Sequence, residues 1–90
     1  MAQAIVDPAE LRRFASNLNQ FNTELGERLA ALHGQMTSLG DTWRDQEHEK
    51  FAQEFEQTMM VLERYMENIS NHIPYLLRKA ELIEEYLLRR

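Results

Sequence analysis

Apolar residues recur along two stretches of the chain at helical spacing. Leu11, Leu18, Leu25, Leu32 and Leu39 repeat every seven residues, with Phe14 and Phe21 three positions after the first two and Leu29 and Met36 four positions after later ones. A helix of about 3.6 residues per turn imposes this drift from the +3 to the +4 neighbour on a seven-residue repeat. The pattern therefore predicts one amphipathic helix with a continuous apolar stripe. A second row, Phe55, Leu62, Ile69, Leu76 and Ile83, is flanked by Phe51, Met59, Met66, Ile73, Ala80 and Leu87 and predicts a longer second helix.

The ends of both helices are written in cap residues. Asp7 precedes Pro8, which suits the first helical position, and Glu10 can reach back as the acid of a capping box. Gly40 follows Leu39 where a left-handed residue would close the first helix, and Thr42-Trp43-Arg44-Asp45 reads as a second capping box, with Thr42 as the cap and Asp45 as its acid. The expected fold is all-α: one domain over residues 1–90, helix one about 8–39, a turn at 40–42 and helix two about 43–90. So short a connection makes an antiparallel hairpin. Pro74 lies inside the second pattern, where it removes a hydrogen bond and crowds the preceding turn, so a kink or break is expected between Ser70 and Pro74.

Length arithmetic then predicts an overhang. Helix one covers about 32 residues, roughly 48 Å, and an equal run from Thr42 ends near Ile73, leaving Leu76, Leu77, Ala80, Ile83, Tyr86, Leu87 and Leu88 with only residues before Asp7 to cover them. The stripes are also three positions wide, more than a two-helix seam uses. A second pair of helices is implied, most simply a second copy completing a four-helix bundle. Leu11, Phe14, Leu18, Phe21, Leu25, Phe51, Phe55, Leu62, Ile69, Leu76, Ile83 and Leu87 are the candidate interface residues.

Composition narrows the chemistry. Fifteen acidic against ten basic residues give a net charge of −5, which repels a phosphate backbone and makes nucleic acid an unsuitable partner. With no cysteine, thiol catalysis, disulfides and Cys-based metal centres are excluded. Met59-Met60-Val61-Leu62 is as long as any apolar run in the chain, far below the ~18 residues of a membrane span. The first eight residues carry neither a basic nor an apolar segment of a cleavable secretory peptide. His33, His48 and His72 share no ligand spacing, and no phosphate loop or Ser–His–acid set is present, so neither metal, cofactor nor catalytic residue is expected. His72, beside Ile69 and Ile73, is expected to be half-buried. Asp41, Asp45, Glu47, Glu49, Glu54 and Glu56 crowd the start of helix two, where the helix dipole favours negative charge, while Arg78, Lys79, Arg89 and Arg90 mark its other end. An antiparallel second chain could match one end against the other.

The segment Met36 to Asp45, with its single Trp43, followed by Phe51 and Phe55, resembles the Trp-x-Gly family of small type VII secretion substrates, the ESAT-like proteins. The resemblance extends over nearly the whole chain: helix-turn-helix, about 90 to 100 residues, Trp in the turn. It implies a bacterial protein forming a homodimer, or a heterodimer with a related chain, exported without a cleavable signal peptide from the cytoplasm or acting as partner to an exported protein. In the family the turn Trp, with the partner's tail, is proposed to meet the secretion ATPase. Gly40, Thr42, Trp43 and Asp45 are the corresponding motif residues here. Two departures stand out: Asp45 replaces the motif glycine, and Tyr65, Tyr75 and Tyr86 are followed four residues later by Ile69, Lys79 and Arg90 rather than by the acid of a Tyr-x-x-x-Asp/Glu export signal.

Other readings remain open on sequence alone. Trp43 can serve as a hydrophobic plug at the closed end of the hairpin. An intracellular adaptor whose apolar overhang captures a partner helix is the alternative function, and a membrane-surface helix over residues 75–90 is a third.

Overall fold

A computed structural model describes residues 6–89. Two helices, α1 (Pro8–Leu39) and α2 (Gln46–Leu88), fold back on each other as an antiparallel hairpin with extents of 69 × 22 × 16 Å. The expected end of helix two at Arg90 lies outside the described residues.

α1 begins as its cap residues dictate. The Asp7 carboxylate accepts the Ala9 N–H at 2.9 Å, Pro8 opens the first turn, and Glu10 pairs with Arg13. The exit differs from expectation. Gly40 has φ −62° and ψ −17°, in the right-handed region, so no left-handed residue closes α1. The N–H groups of Gly40, Asp41, Thr42 and Trp43 instead donate to the carbonyls of Thr37, Ser38 and Leu39, continuing as one more tight turn that satisfies the helix end. Glycine at this position answers close approach: a Cβ there would sit 3.3 Å from the Thr37 carbonyl oxygen and 3.6 Å from the His48 ring.

The second capping box is also rearranged. Thr42 turns back, its hydroxyl donating to the Leu39 carbonyl at 3.3 Å, while Asp45 is the N-cap of α2 and accepts the His48 N–H at 3.0 Å. The connection is therefore residues 40–45, and α2 starts at Gln46 rather than at 43.

That longer connection changes the register. Six residues before the end of α1, His33 Nε2 lies 2.6 Å from Glu56 Oε1, ten residues into α2. α2 thus begins beyond the end of α1, and the start of α1 reaches correspondingly further up α2: Arg12 grips Glu84 through two hydrogen bonds of 3.1 and 2.6 Å. The predicted overhang is consequently small. Ala80 is fully buried and Leu76 and Ile83 are partly covered, leaving Tyr86, Leu87 and Leu88 broadly exposed. Nor does α2 break at Pro74; it is one helix from Gln46 to Leu88. α1 holds it on both sides of the proline, through Asn22 to Met66 and Ser70 before it and through Arg12 to Glu84 after it. One lost backbone hydrogen bond is outweighed by packing along the whole length.

The seam between the helices is narrow. Ala15 and Leu29 from α1 meet Met59 and Ala80 from α2, and among the described residues these four are the buried apolar ones. Gly26 lets Met66 in: a Cβ on Gly26 would lie 3.0 Å from the Met66 methyl. Beside this seam run three polar ties, Arg12–Glu84, Asn22 with the Met66 carbonyl and Ser70 hydroxyl, and His33–Glu56.

Two predictions arise here. Gly34 lies within α1 with nothing within 4 Å of where a Cβ would be. Gly34→Ala is expected to stabilise the hairpin by about 1 kcal/mol through helix propensity, read as a rise in denaturation midpoint. The second concerns pH. Hydrogen bonds from Arg12, reinforced by charge attraction and opposed by partial desolvation, hold the Glu84 carboxyl below its ordinary value, and the same hydrogen bonds raise Arg12. A lowered folded-state value means that the pair contributes stability above the ordinary glutamate range and loses it as pH falls through the folded value. Glu84→Gln is therefore expected to lower the melting temperature at neutral pH and to flatten its decline on acidification.

Candidate interaction surface

The large apolar side chains do not fill the seam. Of the twelve candidate interface residues none is buried: Leu11, Leu18, Leu25, Phe55, Leu62, Ile69, Leu76 and Ile83 are half-exposed, and Phe14, Phe21, Phe51 and Leu87 are exposed. Phe14 and Phe21 leave 55% and 54% of their surface uncovered. Helical geometry explains the arrangement. Small residues and methionines sit where the axes approach most closely, so the Leu/Phe rows fall to one side. Counting 100° per residue from Ala15 and Leu29 on α1, and from Met59 and Ala80 on α2, turns both rows toward the same side of the hairpin. A shallow groove of about 290 Å³ lined by Leu32, Gln35, Met36, Leu39 and Phe55 confirms that the two helices share that side. The polar ties occupy the other, where Asn22, Glu63, Met66, Glu67, Ser70 and Asn71 line a groove of about 450 Å³.

The turn carries the second feature. Trp43 is half-buried, its ring 5.2 Å from His48 edge-on and 5.7 Å from Phe51, and Phe51 in turn stacks on Phe55 at 6.1 Å. The aromatic ladder thus runs from the turn into the apolar side. His48 packs beneath Trp43 with its Nε2 shielded and unpaired within the hairpin. The turn is held by Asp45 at the start of α2 and by Arg44, whose Nε donates to the Gly40 carbonyl at 3.3 Å. Trp43 is therefore both a plug and an accessible ring, as half-burial allows.

The charged candidates fall differently. Glu47 and Glu49 lie in the first turn of α2, Glu56 is taken by His33, and Asp41 is exposed in the connection. His72 is exposed, not half-buried, because it turns away from α1. Among the described residues no three His, Cys, Asp or Glu side chains gather as a metal site, and no helix is long and apolar enough to cross a membrane. Sequence reasoning missed Arg12, Asn22 and Ala15, and placed Ala80 among the flanking residues of helix two without making it part of the seam. Ala15 was discoverable: Ala15, Asn22, Leu29 and Met36 form their own seven-residue row beside the leucines.

Fold and surface together define a two-helix hairpin with an aromatic turn and one uncovered apolar side. The chain belongs to the WXG100 family, proteins of 100 residues with WXG, which it matches over residues 3–86. No curated protein sequence matches it. Among solved structures it is similar to the secreted protein EsxB of Bacillus anthracis strain Sterne, at 27% identity over 96% of this chain and 98% of that one, with a TM-score of 0.81. A proline-to-alanine variant of EsxB superposes with a TM-score of 0.84, at 27% identity over 94% and 96% of the two chains. The wild-type protein in another crystal form gives 0.77, at 28% identity over 90% and 93%.

Asp45, where the family motif has glycine, has φ −94° and ψ −176°, extended backbone open to any residue. As an N-cap, Asp outranks Gly only slightly and Ala strongly. Asp45→Ala is expected to cost about 1 kcal/mol, and Asp45→Gly, which restores the motif, only a few tenths; denaturation midpoints of the two variants check the order.

Proposed function

We propose that this chain is an ESAT-like protein of a type VII secretion system, exported as a folded helical dimer or as the helical partner of an exported protein, and acting by binding rather than catalysis. The uncovered apolar side carries the reading. Phe14, Phe21, Phe51 and Leu87 stand exposed on it with the half-exposed leucines and isoleucines of both helices. Burying each is worth ~1.5–3 kcal/mol, so leaving them in water forfeits an amount comparable with the stability of a small domain. A second copy, or a related chain with the same pattern, supplies the matching side and closes a four-helix bundle. Membership of the WXG100 family and similarity to a secreted protein support export. Trp43 and Asp45, at the turn, are the residues assigned to docking on the secretion ATPase together with the partner's tail.

The test is secretion. In a bacterial host the intact chain should reach the medium when the type VII ATPase is present and stay in the cells when it is deleted. Export independent of the ATPase, or retention in both strains with a fixed amount of an unrelated protein bound, would replace this reading with that of an adaptor.

A further inference from the structure

A four-helix bundle closed over the apolar side brings one helix of the second chain against α2, about a quarter turn round from α1. Counting 100° per residue from Met59 and Ala80, which are buried against α1, places Glu47, Glu54, Tyr65, His72 and Lys79 within about 40° of that direction. All five are exposed, and among the described residues none of Glu47, Glu54 and Lys79 is in an ion pair. Lys50, also exposed and outside those pairs, lies about 60° from the same direction. The other described acidic and basic side chains of α2 lie at least about 100° away, Glu85 on the back of the helix among them.

Two copies can face each other across the apolar side in two ways. With both turns at one end, α2 lies on α1 of the other copy. The His33–Glu56 contact puts Glu54 level with Gln35 there, where the nearest base, His33, is already held. With the turns at opposite ends, α2 lies antiparallel on the other α2, and full overlap sets the two-fold axis level with residue 67, the midpoint of Gln46–Leu88. Glu54 then stands level with Ala80 of the other copy, one residue from its Lys79, while Lys50 comes level with Glu84 and Glu47 with Leu87. Each end of the contact collects Glu47, Lys50 and Glu54 of one copy and Lys79 of the other, equal numbers of acids and bases. The same axis suits α1. Asn22 bonds to Met66 and Ser70, so position 23 is about level with position 67. Phe14 then comes level with Leu32 of the other copy and Phe21 with Leu25, and Arg28 falls within a turn of the other Phe21, where a cation can lie on the ring.

We infer that the partner on the apolar side is a second copy set head to tail, and that Glu54 of each copy pairs with Lys79 of the other to select it. This rests on the bundle proposed above and adds the identity of the partner and the residues that recognise it. One exposed ion pair contributes little. Here the two-fold axis makes it occur twice, so a single reversed charge turns two attractions into two repulsions. Burial of the Phe and Leu rows supplies the affinity, and the ion pairs choose the copy and its direction.

Sedimentation equilibrium of charge variants tests it. Glu54→Lys and Lys79→Glu should each self-associate about tenfold more weakly than the wild type at low salt, because like charges then face each other at both ends. Mixed together, the two variants should form a species of one chain of each kind, since both ends are again matched. A single chain carrying both reversals, Glu54→Lys with Lys79→Glu, should recover the self-association of the wild type. All of these differences should shrink at 1 M salt, where the screening length falls to about 3 Å. Circular dichroism checks that every variant stays helical. A wild-type chain that stays single at every concentration would overturn the bundle together with this inference. A wild type that pairs, and loses pairing on Phe14→Glu with Phe21→Glu, while the charge variants associate equally well alone and mixed, would leave the bundle standing and overturn the ion pair.

Discussion

Phe14→Glu combined with Phe21→Glu is expected to convert the associated protein into single chains, halving its solution mass by light scattering at concentrations where the wild type is paired. Both rings lie more than half exposed on the apolar side, so within the hairpin they contribute little packing. In a two-chain bundle four rings would be withdrawn from water. At ~1.5–3 kcal/mol for a whole side chain, and with about half of each ring left to bury, losing them costs about 3–6 kcal/mol of association, or roughly two to four orders of magnitude in dissociation constant. The introduced carboxylates add to this through burial without partners. Helical content at high dilution should change far less than the association does, because neither ring is part of the seam. An unchanged mass would place the partner surface elsewhere and remove the basis for the bundle.

Leu29→Ala and Met59→Ala should do the opposite, damaging the hairpin itself. These two are the large side chains buried between α1 and α2, 9% and 7% exposed, and they line a common cleft with Gly26, Ala30, His33, Glu63 and Met66. Removing a buried Leu or Met costs about 2–5 kcal/mol, transfer and cavity terms together. A core of so few residues has little else to lose, so either change consumes a large share of the ~5–15 kcal/mol typical of a folded domain. The double variant should lose cooperative unfolding, with less than the sum of the two losses because both face one cleft. Leu88→Ala, at a position 87% exposed, serves as the contrast and should shift stability by no more than about 0.5 kcal/mol. Denaturant titration followed by circular dichroism distinguishes these outcomes.

Much of this molecule is legible in one dimension. Seven-residue rows of Leu and Phe, Asp7-Pro8 at one helix start, and only three glycines and two prolines in the chain specify two long helices and a short connection. α1 runs Pro8–Leu39, its start set by Asp7 and Pro8 and its end by a further tight turn rather than by a left-handed Gly40. The turn was less legible, because Thr42 and Asp45 can each cap a helix and local pattern does not rank them. Their geometry does: the Leu39 carbonyl at the end of α1 claims the Thr42 hydroxyl, and the Asp45 carboxylate accepts the His48 N–H in the first turn of α2. The helix continues through Pro74 without a break for a related reason. Propensity weighs one missing hydrogen bond, whereas the helix responds to contacts on both sides of it.

The sequence by itself determined the helical class, the hairpin and the presence of more apolar surface than two helices can bury. Those properties follow from spacing along a single chain, which period and caps encode. Only the tertiary structure decided which apolar residues are spent inside. Ala15 and Ala80 let the helices close, Arg12–Glu84 and Asn22 set how far α2 slides along α1, and the Phe and Leu rows are left outside. Periodicity names a face but does not fix its rotation about the axis, and that rotation is settled where side-chain volumes and cross-helix hydrogen bonds first have to fit together.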